Sequence, residues 1–109
     1  MKIEAILLHS AAFVDLADFY RRAFDLPAPT PMGDSHVGWP TTPYLGFDTD
    51  PYSAISIWFK VDDVEAAIEK LVDAGATRLT PPDDNESPGE VIARVRDPAG
   101  NVVGLLADA

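Results

Sequence analysis

The chain contains no cysteine, which excludes disulfides, thiolate metal sites and a cysteine nucleophile. Basic residues are scarce: 8 Lys and Arg stand against 18 Asp and Glu, a formal net charge of −10. A surface this acidic repels phosphate backbones, and no basic stripe offsets the average, so neither nucleic acid nor an anionic membrane is an expected partner. The acidity itself reads first as solubility. Long apolar runs are missing too. None is long enough to span a bilayer, and no basic segment followed by an apolar one marks export, so a cytoplasmic location is expected.

What remains is a composition of the globular kind, 47% apolar and 24% charged over 109 residues, enough for one core and too little for two independent ones. A single domain over 1–109 follows as the expectation. Ile3 to Leu8 reads as a buried strand. Phe13, Leu16, Ala17, Tyr20, Ala23 and Phe24 then recur at helical spacing and form one apolar stripe. The prolines from Pro27 to Pro31 end that helix. Residues 32–43 show no period, and Tyr44 to Phe47 reads as a short strand.

The second half is better patterned. Ile55, Ile57, Phe59 and Val61 alternate with Ser56, Trp58 and Lys60, the period of a strand with two different faces. Asp62 reads as the cap of a following helix, with Glu65 as its capping-box partner. Val64, Ala67, Ile68, Leu71 and Val72 form the buried stripe, and Gly75 stands where a glycine ends a helix. Thr77 to Thr80 is a short strand, and residues 81–88 are an exposed acidic loop. Val91 to Val95 alternates up to the turn Asp97-Pro98-Ala99-Gly100-Asn101, and Val102 to Ala107 closes the chain.

The order strand, helix, three strands therefore occurs twice, module 1 over about 1–50 and module 2 over about 53–109, at a period of about 51 residues. Each module is a sheet with one helix on its back and a bare face. Pairing the two makes an α+β fold, two βαβββ modules whose curved mixed sheets surround a cleft with the helices outside.

Three motifs recur in matching order: Phe19-Tyr20-Arg21-Arg22-Ala23-Phe24-Asp25-Leu26, then Val61-Asp62-Asp63-Val64-Glu65-Ala66-Ala67 with Gly75-Ala76, then Asp97-Pro98-Ala99-Gly100-Asn101. With these the chain resembles the vicinal oxygen chelate superfamily, which groups glyoxalase I, extradiol dioxygenases and bleomycin-resistance proteins. Two positions depart from the pattern: Asp25 replaces a glycine, and Ala12 stands where an aspartate usually opens the helix. In metal-dependent members, four His, Glu or Gln ligands come from the first and last strands of each half. Carried over, those positions are Ala5, Gly46, Ser56 and Gly104, and none bears a usable donor. A register error of one residue gives Ile6, Ile57 and Leu105, which are no better. A divalent ion needs at least three converging donors. The resemblance thus implies a member with no metal and no other cofactor, and a homodimer.

The same alternation places His9, Tyr44, Asp48, Trp58, Lys60 and Arg94 on the cleft side. Trp58 is either a stacking wall for a planar ligand or an interface residue. Trp39 is a candidate for the cleft mouth. His9 reads as a general base or as a hydrogen-bonded structural residue. Lys60 and Arg94 read as anchors for an anionic ligand group, or as partners of Asp48 or Glu90. No nucleophile–base pair and no phosphate-binding glycine loop is legible. The function expected is small-molecule binding without a metal, in the manner of drug-sequestering members. The alternative is a glyoxalase- or dioxygenase-like enzyme, using a non-standard metal site or His9 as acid–base group, for which His9 and Asp48 must converge.

Overall fold

The apolar stripe from Phe13 forms a helix because Ala17, Leu16 and Tyr20 share one side and meet strand residues there. In the computed structural model, which describes residues 1–109, the elements of the first half are β1 (Lys2–His9), α1 (Phe13–Phe24), β2 (Thr30–Met32), β3 (His36–Trp39) and β4 (Tyr44–Asp48). Those of the second are β5 (Ile55–Lys60), α2 (Val64–Asp73), β6 (Thr77–Asp83), β7 (Glu90–Arg96) and β8 (Val102–Asp108). Strand, helix and three strands thus occur twice, as the sequence pattern implied. By contact the chain divides into two compact units, Ala5–Ile55 and Met1–Glu4 with Ser56–Ala109. The division falls between Ile55 and Ser56. The first four residues group with the second unit.

In the first unit β1 runs parallel to β4, and β3 lies antiparallel between β4 and β2. The aperiodic stretch from Met32 thus resolves into a hairpin, its turn opened by Gly33 at φ 66. Leu8, Leu45, Val37 and Phe13 surround a buried centre of Ala17, Trp39 and Phe47. The indole Nε1 of Trp39 donates to the Pro27 carbonyl at 2.9 Å, so the buried polar atom is satisfied. The helix ends at Asp25, which takes a left-handed φ of 53. An L side chain adopts that conformation at a cost that glycine avoids.

In the second unit β5 is parallel to β8, with β7 antiparallel to β8 and β6 antiparallel to β7. Phe59, Val61, Val91, Ala93, Val95, Val103, Leu105 and Ala107 all point to the α2 side and pack with Val64 and Ile68. The α2 cap differs from the sequence expectation. Asp63, not Asp62, is the N-cap, its side chain accepting the Ala66 N–H at 3.0 Å. Shifting the cap by one residue moves the N3 position to Ala66, so Glu65 cannot complete a capping box. Gly75 does close the helix, at φ 118. Its N–H donates to Val72 O and that of Ala76 to Leu71 O, the two bonds of a Schellman motif.

The last strand pair turns through Asp97. That carboxylate accepts from the N–H groups of Ala99 and Asn101 and from the Asn101 side chain. These bonds, that of the Asn101 side chain first, lower its acid below the usual carboxylate value. The strand β6 runs on through Pro81 and Pro82, which the sequence pattern had assigned to the following loop. It is the edge strand of its unit and pairs irregularly with β7, so the missing proline donors are tolerated. No helix is long and apolar enough to cross a membrane.

Candidate functional site

Strand alternation puts one row of side chains on the face of each unit away from its helix. In the first unit the rows are set by register: Ala5 opposite Tyr44, Leu7 opposite Gly46 and Gly38, His9 opposite Asp48 and His36. His9 and Asp48 do converge, with the imidazole Nδ1 in direct contact with carboxylate Oδ1. The His9 side chain is 1% exposed and that of Asp48 25%. Such a carboxylate fixes the orientation of the ring. His36 instead meets the Ser35 hydroxyl through Nδ1 at 3.2 Å, and its ring stands edge-on to Tyr44 at 6.3 Å.

Tyr44 lies across two glycines. A Cβ on Gly46 would come within 2.6 Å of Leu7 Cδ2 and of Tyr44 Cε1, and one on Gly38 would overlap the Tyr44 hydroxyl. That hydroxyl oxygen is buried and has no hydrogen-bond partner in the protein. Burial, and then the Asp48 charge, push the phenol above its ordinary value.

The second unit repeats the device. Trp58, Gly104, Arg94 and Thr80 stand in one row across β5, β8, β7 and β6. The Trp58 ring lies over Gly104, where a Cβ would overlap the indole. Its Nε1 donates to Ser56 Oγ at 2.9 Å, and the Arg94 guanidinium carbon sits 5.2 Å from the ring centroid. Trp58 is 5% exposed. Arg94 forks onto Glu86, Nη1 to Oε2 at 3.1 Å and Nη2 to Oε1 at 3.2 Å. The sequence offered Asp48 or Glu90 as its partner. Glu86 comes from the segment read as solvated loop, and only the folded course of residues 84–89 brings it back.

Two further candidates are placed differently from expectation. Trp39 is not at a cleft mouth: β3 points it, with Val37, to the helix side, where it is 6% exposed in the first unit's core. Lys60 ion-pairs with Asp108 at 3.2 Å and remains partly exposed. That contact raises its ammonium pKa. Three glycine roles were missed by sequence reasoning, Gly38 and Gly46 beneath Tyr44 and Gly104 beneath Trp58. For Gly104 the signal was present, since an interior strand glycine marks close approach by a neighbour.

The donor set does not fit a divalent cation at the positions carried over from the resemblance. Ala5, Gly46, Ser56 and Gly104 supply one hydroxyl between them, and that hydroxyl accepts from Trp58. Nowhere do three His, Cys, Asp or Glu gather as a metal site. The His9–Asp48 contact brings two such groups together, one short of the minimum.

No match was found among curated proteins. Among solved structures, a Legionella pneumophila protein described as NAD-dependent benzaldehyde dehydrogenase superposes with a TM-score of 0.72 at 14% identity, covering 96% of this chain and 98% of that one. A variant of Streptomyces coelicolor methylmalonyl-CoA epimerase, in complex with 2-nitronate-propionyl-CoA, gives a TM-score of 0.64 at 16% identity, covering 100% and 98%. A glyoxalase/bleomycin resistance protein/dioxygenase superfamily member from Vibrio splendidus 12B01 gives 0.66 at 10%, covering 96% and 97%. At these identities the likeness is one of fold. The sequence profile of the glyoxalase-like domain matches residues 5–106, and the chain belongs to that family, within the glyoxalase/bleomycin resistance/dioxygenase superfamily.

Proposed function

We propose that this protein binds a small molecule without a metal ion, sequestering a drug-like compound or metabolite rather than transforming it. One observation carries the reading. The two glycine positions among the superfamily's ligand sites are covered by the protein's own rings, Tyr44 at Gly46 and Trp58 at Gly104. Binding needs only apolar walls and a few directing polar groups. In the first unit those are the partnerless Tyr44 hydroxyl and the His9–Asp48 pair. In the second they are the Trp58 edge, Lys60 and Arg94. The net charge of −10 biases the choice toward cationic ligands. The reading includes a cytoplasmic homodimer, whose dimeric state light scattering on the purified protein checks.

The test is metal content of protein purified without chelator, with melting temperatures in added zinc, nickel, manganese and iron(II). No bound metal and no upward shift are expected. Stoichiometric metal, or a clear shift with one ion, overturns the reading.

The His9–Asp48 contact favours a second reading, acid–base catalysis by an oriented imidazole. Given the epimerase fold relatives, the check is deuterium uptake into methylmalonyl-CoA in heavy water. Uptake abolished by His9→Ala would replace the binding reading; no uptake leaves it standing.

A further inference from the structure

An apolar concavity lies on the opposite side of the second unit's strands from Trp58 and Arg94. Phe59 on β5 and Val61 just after it, with Val103 and Leu105 on β8, point toward α2. There the first turns of the helix present Ala66 and Ala67. These two alanines and the strand residues, with Leu71 further along, line an open cavity of about 590 Å³. A volume of several hundred Å³ is that of a small-molecule site, and far above the voids a packed core leaves.

The mouth of the cavity carries charge. Asp62, Asp63 and Lys70 line it. Asp63 is committed to capping the helix through the Ala66 N–H. Asp62 is exposed, and no ion pair or hydrogen bond engages its carboxylate. The Asp62 and Asp63 carboxylates there face the Lys70 ammonium and the N-terminal ammonium of Met1, and it is the chain's net charge of −10 that tips the field negative, so an anionic head group is repelled and a cationic one drawn in. We propose that the cavity beneath α2 binds organic cations, an aryl or branched hydrocarbon body against Phe59, Val61, Ala67 and Val103, with a protonated amine at Asp62. This site is separate from the residues of the proposed function and does not depend on them.

Three probes with one body and different heads test it: 4-phenylbutylammonium, 4-phenylbutanol and 4-phenylbutyrate. Binding is followed by methyl NMR titration and calorimetry on the full chain. The ammonium should bind about fivefold more tightly than the alcohol, the upper range for a solvent-facing ion pair, and the carboxylate most weakly. Shifts should centre on Val61, Leu71, Val103 and Leu105. Asp62→Asn should erase the preference of ammonium over alcohol while leaving alcohol binding unchanged. Ala67→Phe should weaken all three probes at least tenfold by filling the space. Ala66→Leu serves the same purpose should the larger residue prevent folding. Equal or tighter binding of the carboxylate would overturn the proposal. So would shifts centred on Trp58, Gly104 and Arg94, or no saturable binding of any probe.

Discussion

Replacing Gly104 by alanine adds one methyl group to a strand, a change that ordinarily stabilises by about 0.5–1 kcal/mol, because glycine loses more freedom on folding. Here the opposite is expected. The new Cβ overlaps the Trp58 indole, which is 5% exposed and hydrogen-bonded to Ser56 at 2.9 Å. Overpacking of this kind costs about 1–3 kcal/mol. Pulling the indole off Ser56 leaves buried polar atoms unpaired, worth a further roughly 1–3 kcal/mol. Set against the glycine gain, a net loss of roughly 1–5 kcal/mol follows, a large part of a small domain's stability. The assay is urea unfolding followed by circular dichroism, in the natural and Trp58→Ala backgrounds. Removing the indole should make Gly104→Ala neutral or mildly stabilising, so the two substitutions are strongly non-additive. If Gly104→Ala costs the same in both backgrounds, or less than about 0.5 kcal/mol in the natural one, then the ring does not need the glycine, and the ligand position is not self-filled. Gly104→Glu, which installs a donor of the superfamily's kind, should lose stability likewise and gain no rise in melting temperature from zinc.

Three other outcomes follow from named contacts. Asp63→Ala should cost about 1 kcal/mol in chemical unfolding as a lost N-cap, whereas Asp62→Ala should change little, the reverse of what the capping-box pattern suggests. Asp25→Gly should raise the unfolding free energy by about 0.5–1 kcal/mol, relieving the left-handed aspartate, as a thermal melt would register. Asp97 has a folded pKa depressed below 3.8, so its contribution is complete above that value and is lost as pH falls through the lower folded pKa. The stability gap between the natural protein and Asp97→Ala should therefore hold at neutral pH and narrow only below about pH 4; a gap narrowing between about pH 5 and 7 would contradict the assigned bonds.

The elements that could be read from sequence are those where one periodic face is enough. Phe13 to Phe24 and Val64 to Val72 carry helical stripes, and Ser56, Trp58 and Lys60 oppose Ile57, Phe59 and Val61 without ambiguity. Trp39 failed for a definable reason. Its strand has only four residues, His36–Trp39, and Gly38 and Pro40 mask the alternation. Read as a strand, it pairs Trp39 with Val37 and sends both to the core, which is where they lie. The Arg94 partner failed for a different reason: Glu86 sits in an irregular loop, and no local pattern specifies where a loop carboxylate returns. The caps lie between these cases, because two adjacent aspartates satisfy the same statistical pattern and only backbone geometry selects Asp63.

The glycines connect fold to chemistry more directly than any of these residues. Gly46 and Gly104 occupy matching places in the two modules, and each is overlain by an aromatic ring, reached along the same strand from Tyr44 and across the register from Trp58. A strand glycine beneath an aromatic ring restores the packing that its missing side chain forgoes. In each unit the position to which the resemblance carries a metal donor therefore supplies packing here. The two rings differ in what they leave behind. Trp58 finds Ser56, so its polar atom is satisfied. Tyr44 buries a hydroxyl with no protein partner, a deficit worth about 1–3 kcal/mol that a bound ligand or water would relieve. Tyr44→Phe should consequently leave stability unchanged or slightly raised, since it deletes an unsatisfied group and keeps the ring over Gly46. It should also weaken any ligand whose polar group reaches that oxygen. A Tyr44→Phe variant markedly less stable than the natural protein would show instead that the hydroxyl has a structural partner, and would remove it from the candidate site.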